Sequence, residues 1–168
     1  MKITSKLFLA CLSLALSASF AFAQEKQTAP AEVSVTGEVA HPMKFTAADL
    51  AKLPRQKLTT KDTDGKMVTF EGVALVELLR VAGVEFGQKL RGKNMGLFLV
   101  VEAADGYKAV FALPELDPAF NDRVIILAEG RDGKPLADAE GHWRIVVPDE
   151  KMHGRWVRQV VSLNIRRA

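Results

Sequence analysis

The only cysteine of this 168-residue chain, Cys11, lies within an apolar N-terminal segment. Two lysines precede an almost unbroken apolar run over residues 7–20, and Ala21-Phe22-Ala23 has the small-x-small pattern of an export cleavage site. We therefore predict a signal peptide over residues 1–23, cut after Ala23, and export to the periplasm. The residues after the cut contain no thiol, so they must fold without disulfides and without iron–sulfur ligation.

The predicted signal peptide also limits how the rest of the chain is exported and how large its folded part is. Its apolar run is shorter than the roughly 20 residues that span a bilayer, so we expect no membrane anchor after cleavage. No twin arginine precedes the run, which favours export in the unfolded state. The remaining 145 residues are enough for one domain with one core. We expect a short flexible leader over 24–31 and a single domain over 32–168.

The charge balance of the predicted mature chain is close to neutral. The signal segment holds two of the 23 basic residues and none of the 20 acidic ones, which leaves a formal net charge of +1. Such a balance gives no reason to expect nucleic-acid binding.

Short apolar runs separated by turn residues predict an α+β domain in which strands predominate. The clearest helix has Leu75, Leu78, Leu79 and Ala82 at helical spacing and ends at Gly83. Two further helical turns are predicted, one over 113–116 and one beginning at Thr46, where the Thr46 hydroxyl and the Asp49 carboxylate suit a capping box. Turn residues at 63–65 and 105–106 predict two hairpins. The predicted strands cover the ranges 32–39, 58–62, 67–70, 97–101, 107–111, 124–128, 143–147 and 160–165.

Several short motifs, in this order along the chain, resemble the sulfite oxidase type molybdopterin-binding domain and its stand-alone periplasmic relatives. The matching pieces are Gly37-Glu38-Val39 with Pro42, Phe70-Glu71-Gly72-Val73, Asp105-Gly106-Tyr107, Gly133-Lys134-Pro135-Leu136, Trp143 to Pro148, and Gly154-Arg155-Trp156-Val157-Arg158. The resemblance implies a mixed β-sheet or barrel-like core with two or three short helices, and molybdopterin as the cofactor.

The resemblance fails where the metal ligand is expected. In the catalytic relatives a cysteine thiolate falls just before the segment that matches 70–73, whereas this chain has threonines and lysines over 57–66. Thr59 or Thr60 offers an oxygen there, but a neutral hydroxyl is a poor substitute for a soft thiolate. The relatives also have a histidine where this chain has Glu140 before Gly141. The sequence therefore assigns no catalytic residue.

The basic end of the resemblance is retained. It implies that Gly154, Arg155 and Arg158 match the glycine and basic residues that contact the cofactor's terminal phosphate, and guanidinium groups suit such contacts. We expect Arg144 and His153 to add to this pocket, with Lys151 nearby. An equally weighted alternative is that these charges form a solvated face above buried apolar side chains.

Metal ligands and other enzyme motifs are not recognisable. His41, His142 and His153 lack the spacing of a metal site, although the last two flank one predicted strand, and we expect none of them to bind metal. Phosphate-binding loops, dinucleotide fingerprints and serine-hydrolase elbows are also missing from the sequence.

Two functions remain. The first is a periplasmic oxidoreductase-like domain that binds a pterin phosphate or a similar small anion. The alternative is a non-catalytic periplasmic module that kept the fold without the metal and binds an anion, a peptide or a protein partner.

Overall fold

A computed structural model describes residues 31–168. The predicted signal peptide, and the predicted leader except for its last residue, lie outside the described residues. Within 31–168 the chain forms ten strands and three α-helices around one apolar core, which confirms the α+β prediction. The strands are β1 Glu32–Gly37, β2 Met43–Thr46, β3 Arg55–Lys61, β4 Met67–Ala74, β5 Leu97–Ala103, β6 Lys108–Ala112, β7 Ile126–Arg131, β8 Lys134–Pro135, β9 Arg144–Val146 and β10 Val160–Arg167.

The three α-helices are short. They are α1 Ala47–Leu50, α2 Leu75–Val81 and α3 Leu113–Leu116. Single 3₁₀ turns cover Gly87–Lys89, Gly92–Gly96, Asp138–Glu140 and His153–Arg155. Across residues 31–168, none of the helices is long and apolar enough to cross a membrane.

The strands belong to two separate sheets. The first has the order β2-β1-β10-β5-β6, and the second has the order β3-β4-β7-β8 with β9 paired to β7. In residues 31–168 the two sheets share no strand and do not close into a barrel, so the core has the mixed-sheet form of the predicted fold. β1 and β10 pair in parallel, which brings the first and last strands of the domain together.

Helix α2 forms where the apolar spacing predicts it. Leu75, Leu78 and Leu79 are fully buried. The helix ends in a Schellman motif, because the amide of Gly83 donates to Arg80 and the amide of Val84 donates to Leu79. Gly83 has φ +83°, a conformation that side chains with a Cβ rarely adopt, so its prediction as the helix stop is confirmed.

Local sequence signals also determine α1 and the β3–β4 hairpin. The Thr46 hydroxyl accepts the amide of Asp49, while the Asp49 carboxylate accepts the amide of Thr46, which forms the predicted capping box. In the hairpin the amide of Asp62 donates to Lys66, and Gly65 has φ +78°. Both predictions are confirmed.

The close packing of β4 against β7 explains why glycine stands at position 72, one of the residues that carry the resemblance. A Cβ on Gly72 would lie 2.1 Å from the carbonyl oxygen of Leu127, where β4 packs beside β7 at a register shift. Only glycine fits this position without moving a strand.

Several predicted strands differ in extent, including β4, which continues to Ala74, and β7. Two short strands, β2 and β8, were not predicted. β7 begins two residues later than predicted and continues to Arg131, because its last residues pair with β8 and β4 rather than following an apolar run. β2 was missed because only Phe45 of its four residues is buried, which leaves almost no alternation to recognise.

Candidate functional site

The retained basic residues lie mainly on the loop 147–159, which connects β9 to β10. Trp156 anchors this loop, since its side chain is 4% exposed and its indole N–H donates to the Val147 carbonyl at 2.9 Å. Its ring meets the Phe70 ring edge-on at 5.7 Å between centroids. Asp149 and Gln159 have φ values of +62° and +51°, so left-handed residues lie near both ends of the loop. The loop is thus held to the core by a buried aromatic contact.

One side of this loop faces the β3–β4 hairpin, and the two enclose a cleft of about 760 Å³, which we call the threonine cleft. Its lining residues are Thr59, Thr60, Lys61, Asp62, Thr63, Gly65, Met67, Asp149, Glu150, Lys151, Met152 and His153. The structure therefore brings Thr59 and Thr60, the predicted oxygen donors, to the same cleft as Lys151 and His153.

Asp62 is a buried carboxylate at the base of the threonine cleft. It is 7% exposed, accepts the Thr63 amide at 2.8 Å and forms an ion pair with Arg131 at 2.6 Å. Burial alone would raise the pKa of Asp62, but the Thr63 amide and the guanidinium groups of Arg131 and Arg144 outweigh it and hold that pKa below its usual value. Asp62 is therefore ionised at neutral pH.

The other wall of the loop borders a smaller cleft of about 440 Å³, which we call the tyrosine cleft. The Tyr107 hydroxyl donates to the Gly154 carbonyl at 2.7 Å, which ties the loop to the turn before β6. His153 stacks on Trp156 at 4.0 Å, and the exposed side chains of Arg158 and Asp105 also belong to the lining. His153 lines both clefts, so the two adjoin at this residue.

Arg155 is turned away from both clefts and is bound by carboxylates. Its guanidinium donates to Glu150 at 2.8 Å and to Glu115 at 2.9 Å, and it lies 4.6 Å from the centre of the Phe111 ring. Burial lowers the pKa of Arg155, but its bonds to Glu115 and Glu150 raise it by more. These contacts connect the loop to α3 and β6.

Arg144 is buried beneath the loop. Its side chain lies between the rings of Phe70 and Trp156, 5.1 and 5.3 Å from their centroids, and one Nη atom donates to Glu140. Within residues 31–168 its Nε atom is buried without a hydrogen-bond partner. Glu140, which stands where the relatives have histidine, thus has a role as the counter-ion of Arg144.

The structure brings together three of the five predicted contacts. His153, Gly154 and Arg158 line the tyrosine cleft, whereas Arg144 and Arg155 are held by carboxylates. The assignment of these residues to an anion or cofactor stays a prediction. His142 lies in other clefts, apart from His153, so the flanking positions of these histidines in sequence do not bring them to one cleft.

Sequence reasoning missed several cleft residues. Asp62 was assigned to a strand end, and no spacing relates it to Arg131, its partner 69 positions later. Met67 and Met152 were not considered, because isolated methionines give no motif. A weak signal for the pair of Glu140 and Arg144 was present, since opposite charges stand four residues apart, but this segment is not an α-helix.

The donor atoms in these clefts do not fit thiolate-ligated molybdenum. The threonine cleft offers hydroxyls, carboxylates, amines, an imidazole and thioethers, and residues 24–168 contain no cysteine. In the described part of the chain, His, Cys, Asp and Glu side chains also form no group of three that could hold a metal ion. We therefore derive no chemical step through molybdenum.

Comparison with known proteins identifies the fold. A family model described as "Oxidoreductase molybdopterin binding domain" matches residues 23–168. The chain is similar to the solved sulfane dehydrogenase SoxCD from Paracoccus pantotrophus, with a TM-score of 0.64 and 23% identity over 80% of this chain. It spans 38% of the length of that SoxCD chain. No curated protein matches significantly.

Proposed function

The chain belongs to the oxidoreductase molybdopterin-binding domain family, and from that membership we propose that it binds a pterin phosphate or a similar small anion in the periplasm, without thiolate-bound molybdenum. The resemblance recognised in the sequence supports the ligand class. The side chains of the clefts support binding without molybdenum, because a neutral threonine hydroxyl does not replace a soft thiolate ligand.

One observation carries the anion site: two cations of the loop, Lys151 and Arg158, form no ion pair within residues 31–168. Lys151 lines the threonine cleft and Arg158 lines the tyrosine cleft, on either side of His153. An anion placed near His153 has a cation on each side and charge-assisted bonds available to it.

The loop backbone suits a close approach. Gly154 is exposed and has no side chain, so a ligand can reach its main chain. The hydrogen bond from the Tyr107 hydroxyl holds the Gly154 carbonyl in place. The loop is therefore already ordered in part, which lowers the entropy cost of binding a ligand.

A specific observation favours the alternative, a non-catalytic module that binds a protein or peptide. Arg144 and Arg155, two of the cations predicted to contact phosphate, are already neutralised by Glu140, Glu115 and Glu150. A phosphate would have to displace these carboxylates to use them. If small anions do not bind, the alternative function as a protein- or peptide-binding module is favoured.

Binding of a pterin monophosphate and of its phosphate-free parent tests the proposal. We expect the monophosphate to bind at least tenfold more tightly, on the order of one charge-assisted contact. Arg158→Ala should remove this difference. Arg91→Ala is the matched control, because Arg91 is exposed and lines a different cleft.

Equal binding of the two pterins, or equal effects of the two arginine substitutions, would contradict the anion site. Elemental analysis of the protein from its native periplasm tests the metal-free form. One equivalent of molybdenum would overturn that part of the proposal and would make the buried Thr60 hydroxyl the next ligand to examine.

A further inference from the structure

The two most exposed large apolar side chains of residues 31–168 line the same cleft. Met152 is 82% exposed and Met67 is 60% exposed, and both belong to the threonine cleft. Methionine is usually buried, so two strongly exposed thioethers at one cleft are unusual. They lie 85 positions apart in sequence, and only the packing of the loop against the hairpin brings them to the same cleft.

An imidazole stands beside these thioethers. His153 directly follows Met152 and lines the same cleft. Its ring stacks on Trp156 at an interplanar angle of 18°, which occupies one face of the ring and leaves the nitrogen atoms at the ring edge. Within residues 31–168 neither ring nitrogen forms a hydrogen bond, so neither is committed to another partner.

The carboxylates of the threonine cleft are mostly engaged by arginines and do not select the ion. Asp62 is paired with Arg131, and Glu150 Oε1 holds Arg155. Asp149 lines the cleft together with Lys61 and Lys151. The neutral thioether and imidazole donors are therefore the groups that decide which ion fits.

We propose that the threonine cleft binds a copper ion as Cu(I), through the Sδ atoms of Met67 and Met152 and one ring nitrogen of His153. Thioethers are soft, neutral donors that select Cu(I), and imidazole is also a good copper ligand. Hard cations such as Mg²⁺ and Ca²⁺ prefer oxygen donors and gain nothing from the two sulfur atoms. This site goes beyond the proposed anion function and does not depend on it.

The flexible methionine side chains suit this role. Each has three rotatable bonds, and at these exposures neither is fixed by packing, so the sulfur atoms can adjust to the ion. His153 supplies the fixed donor, because Trp156 holds its ring. The absence of cysteine after residue 23 leaves no stronger thiolate to compete for the ion.

Anaerobic titration with Cu(I), in competition with bicinchoninate, tests the site in the full chain carrying Cys11→Ser, so that no thiolate contributes. We expect one equivalent of copper to bind. Met67→Leu, Met152→Leu and His153→Gln should each lower the affinity at least tenfold. Met95→Leu should not, because Met95 is 44% exposed but lines another cleft.

A second measurement locates the ion directly. With Ag(I) as a probe that does not change oxidation state, the methyl resonances of Met67 and Met152 should shift and that of Met95 should not. Failure of the protein to take Cu(I) from the competitor would overturn the proposal, as would equal effects of the three leucine substitutions. Zn²⁺ binding as tight as Cu(I) binding would also overturn it, because the sulfur atoms would then be irrelevant.

The copper and anion sites can fail separately. Arg158→Ala should weaken the pterin monophosphate and leave Cu(I) affinity unchanged, whereas Met67→Leu and Met152→Leu should do the reverse. His153→Gln should weaken both, since His153 lies where the two clefts meet.

Discussion

Helix α2 and the loop 147–159 both contact β4 of the second sheet, yet the sequence predicted their environments with very different success. In α2 the apolar residues recur at helical spacing, and Leu75, Leu78 and Leu79 are fully buried. In the loop the basic residues are close in sequence but have different environments. Arg155 is bound by two carboxylates, while Arg158 is exposed at a cleft.

The difference follows from what each kind of residue needs. An apolar side chain needs only to leave water, so a periodic pattern is enough to predict its burial. A charged side chain needs a particular partner, and the partner's position depends on the whole fold. Four substitutions test this contrast.

Leu78→Ala should have the largest effect. Leu78 is 0% exposed between α2 and the core, and such truncations cost about 2–5 kcal/mol, so we expect a loss in the upper half of that range. Denaturant unfolding measures it. Val81→Ala is the control on the same helix, because Val81 is 44% exposed and should change the free energy of unfolding by less than about 0.5 kcal/mol. Similar losses for both would contradict the placement of the apolar stripe.

Glu140→Gln should have the next largest effect. It leaves the Arg144 charge buried without its counter-ion, and breaking a buried pair costs about 3–5 kcal/mol. We expect the lower end of that range, because the Glu140 side chain is 12% exposed and Asp62 is close enough to Arg144 to compensate in part.

The matching double variant separates charge from packing. Glu140→Gln combined with Arg144→Met should recover much of the lost stability, because no buried charge then stays unpaired. If the single and double variants unfold at the same denaturant concentration, the ion pair is not what stabilises the region beneath the loop.

Arg155→Ala should have a smaller effect, and Arg158→Ala the smallest. Loss of the bonds from Arg155 to Glu115 and Glu150 should cost about 1.5 kcal/mol, the lower end for charged hydrogen bonds, since the Arg155 side chain is 31% exposed. Arg158→Ala should change stability by less than about 0.5 kcal/mol, because Arg158 is exposed. Thermal unfolding of both variants compares them, and equal shifts would mean that the two arginines have the same role.

Much of the fold follows from local sequence signals. Thr46 and Asp49 predicted a capped helix, Gly83 predicted a helix end, and the turn at 63–65 predicted a hairpin, because each signal acts within four residues. The ends of β7 and the existence of β2 were not predictable in this way. Their hydrogen bonds depend on neighbouring strands, and their side chains show little alternation.

The candidate site was predictable only in part. The order of the motifs identified the family and pointed to the segment 153–158, which the structure places beside the two clefts. The pairing of Arg144 with Glu140 and of Arg155 with Glu115 did not follow from the sequence. Resemblance transfers the position of a residue, but whether its charge is paired depends on neighbours that are far away in sequence.

The sequence by itself determined the apolar core, the main hairpins and the missing thiolate, because periodicity, turn residues and composition are local properties of the chain. Tertiary structure alone decided which cations are free and which are neutralised. It also decided that Met67, Met152 and His153 share one cleft. The physical reason is that electrostatic pairing and ligand geometry depend on distances of a few ångströms between residues far apart in sequence, and only the packing of the sheets and the loop sets those distances.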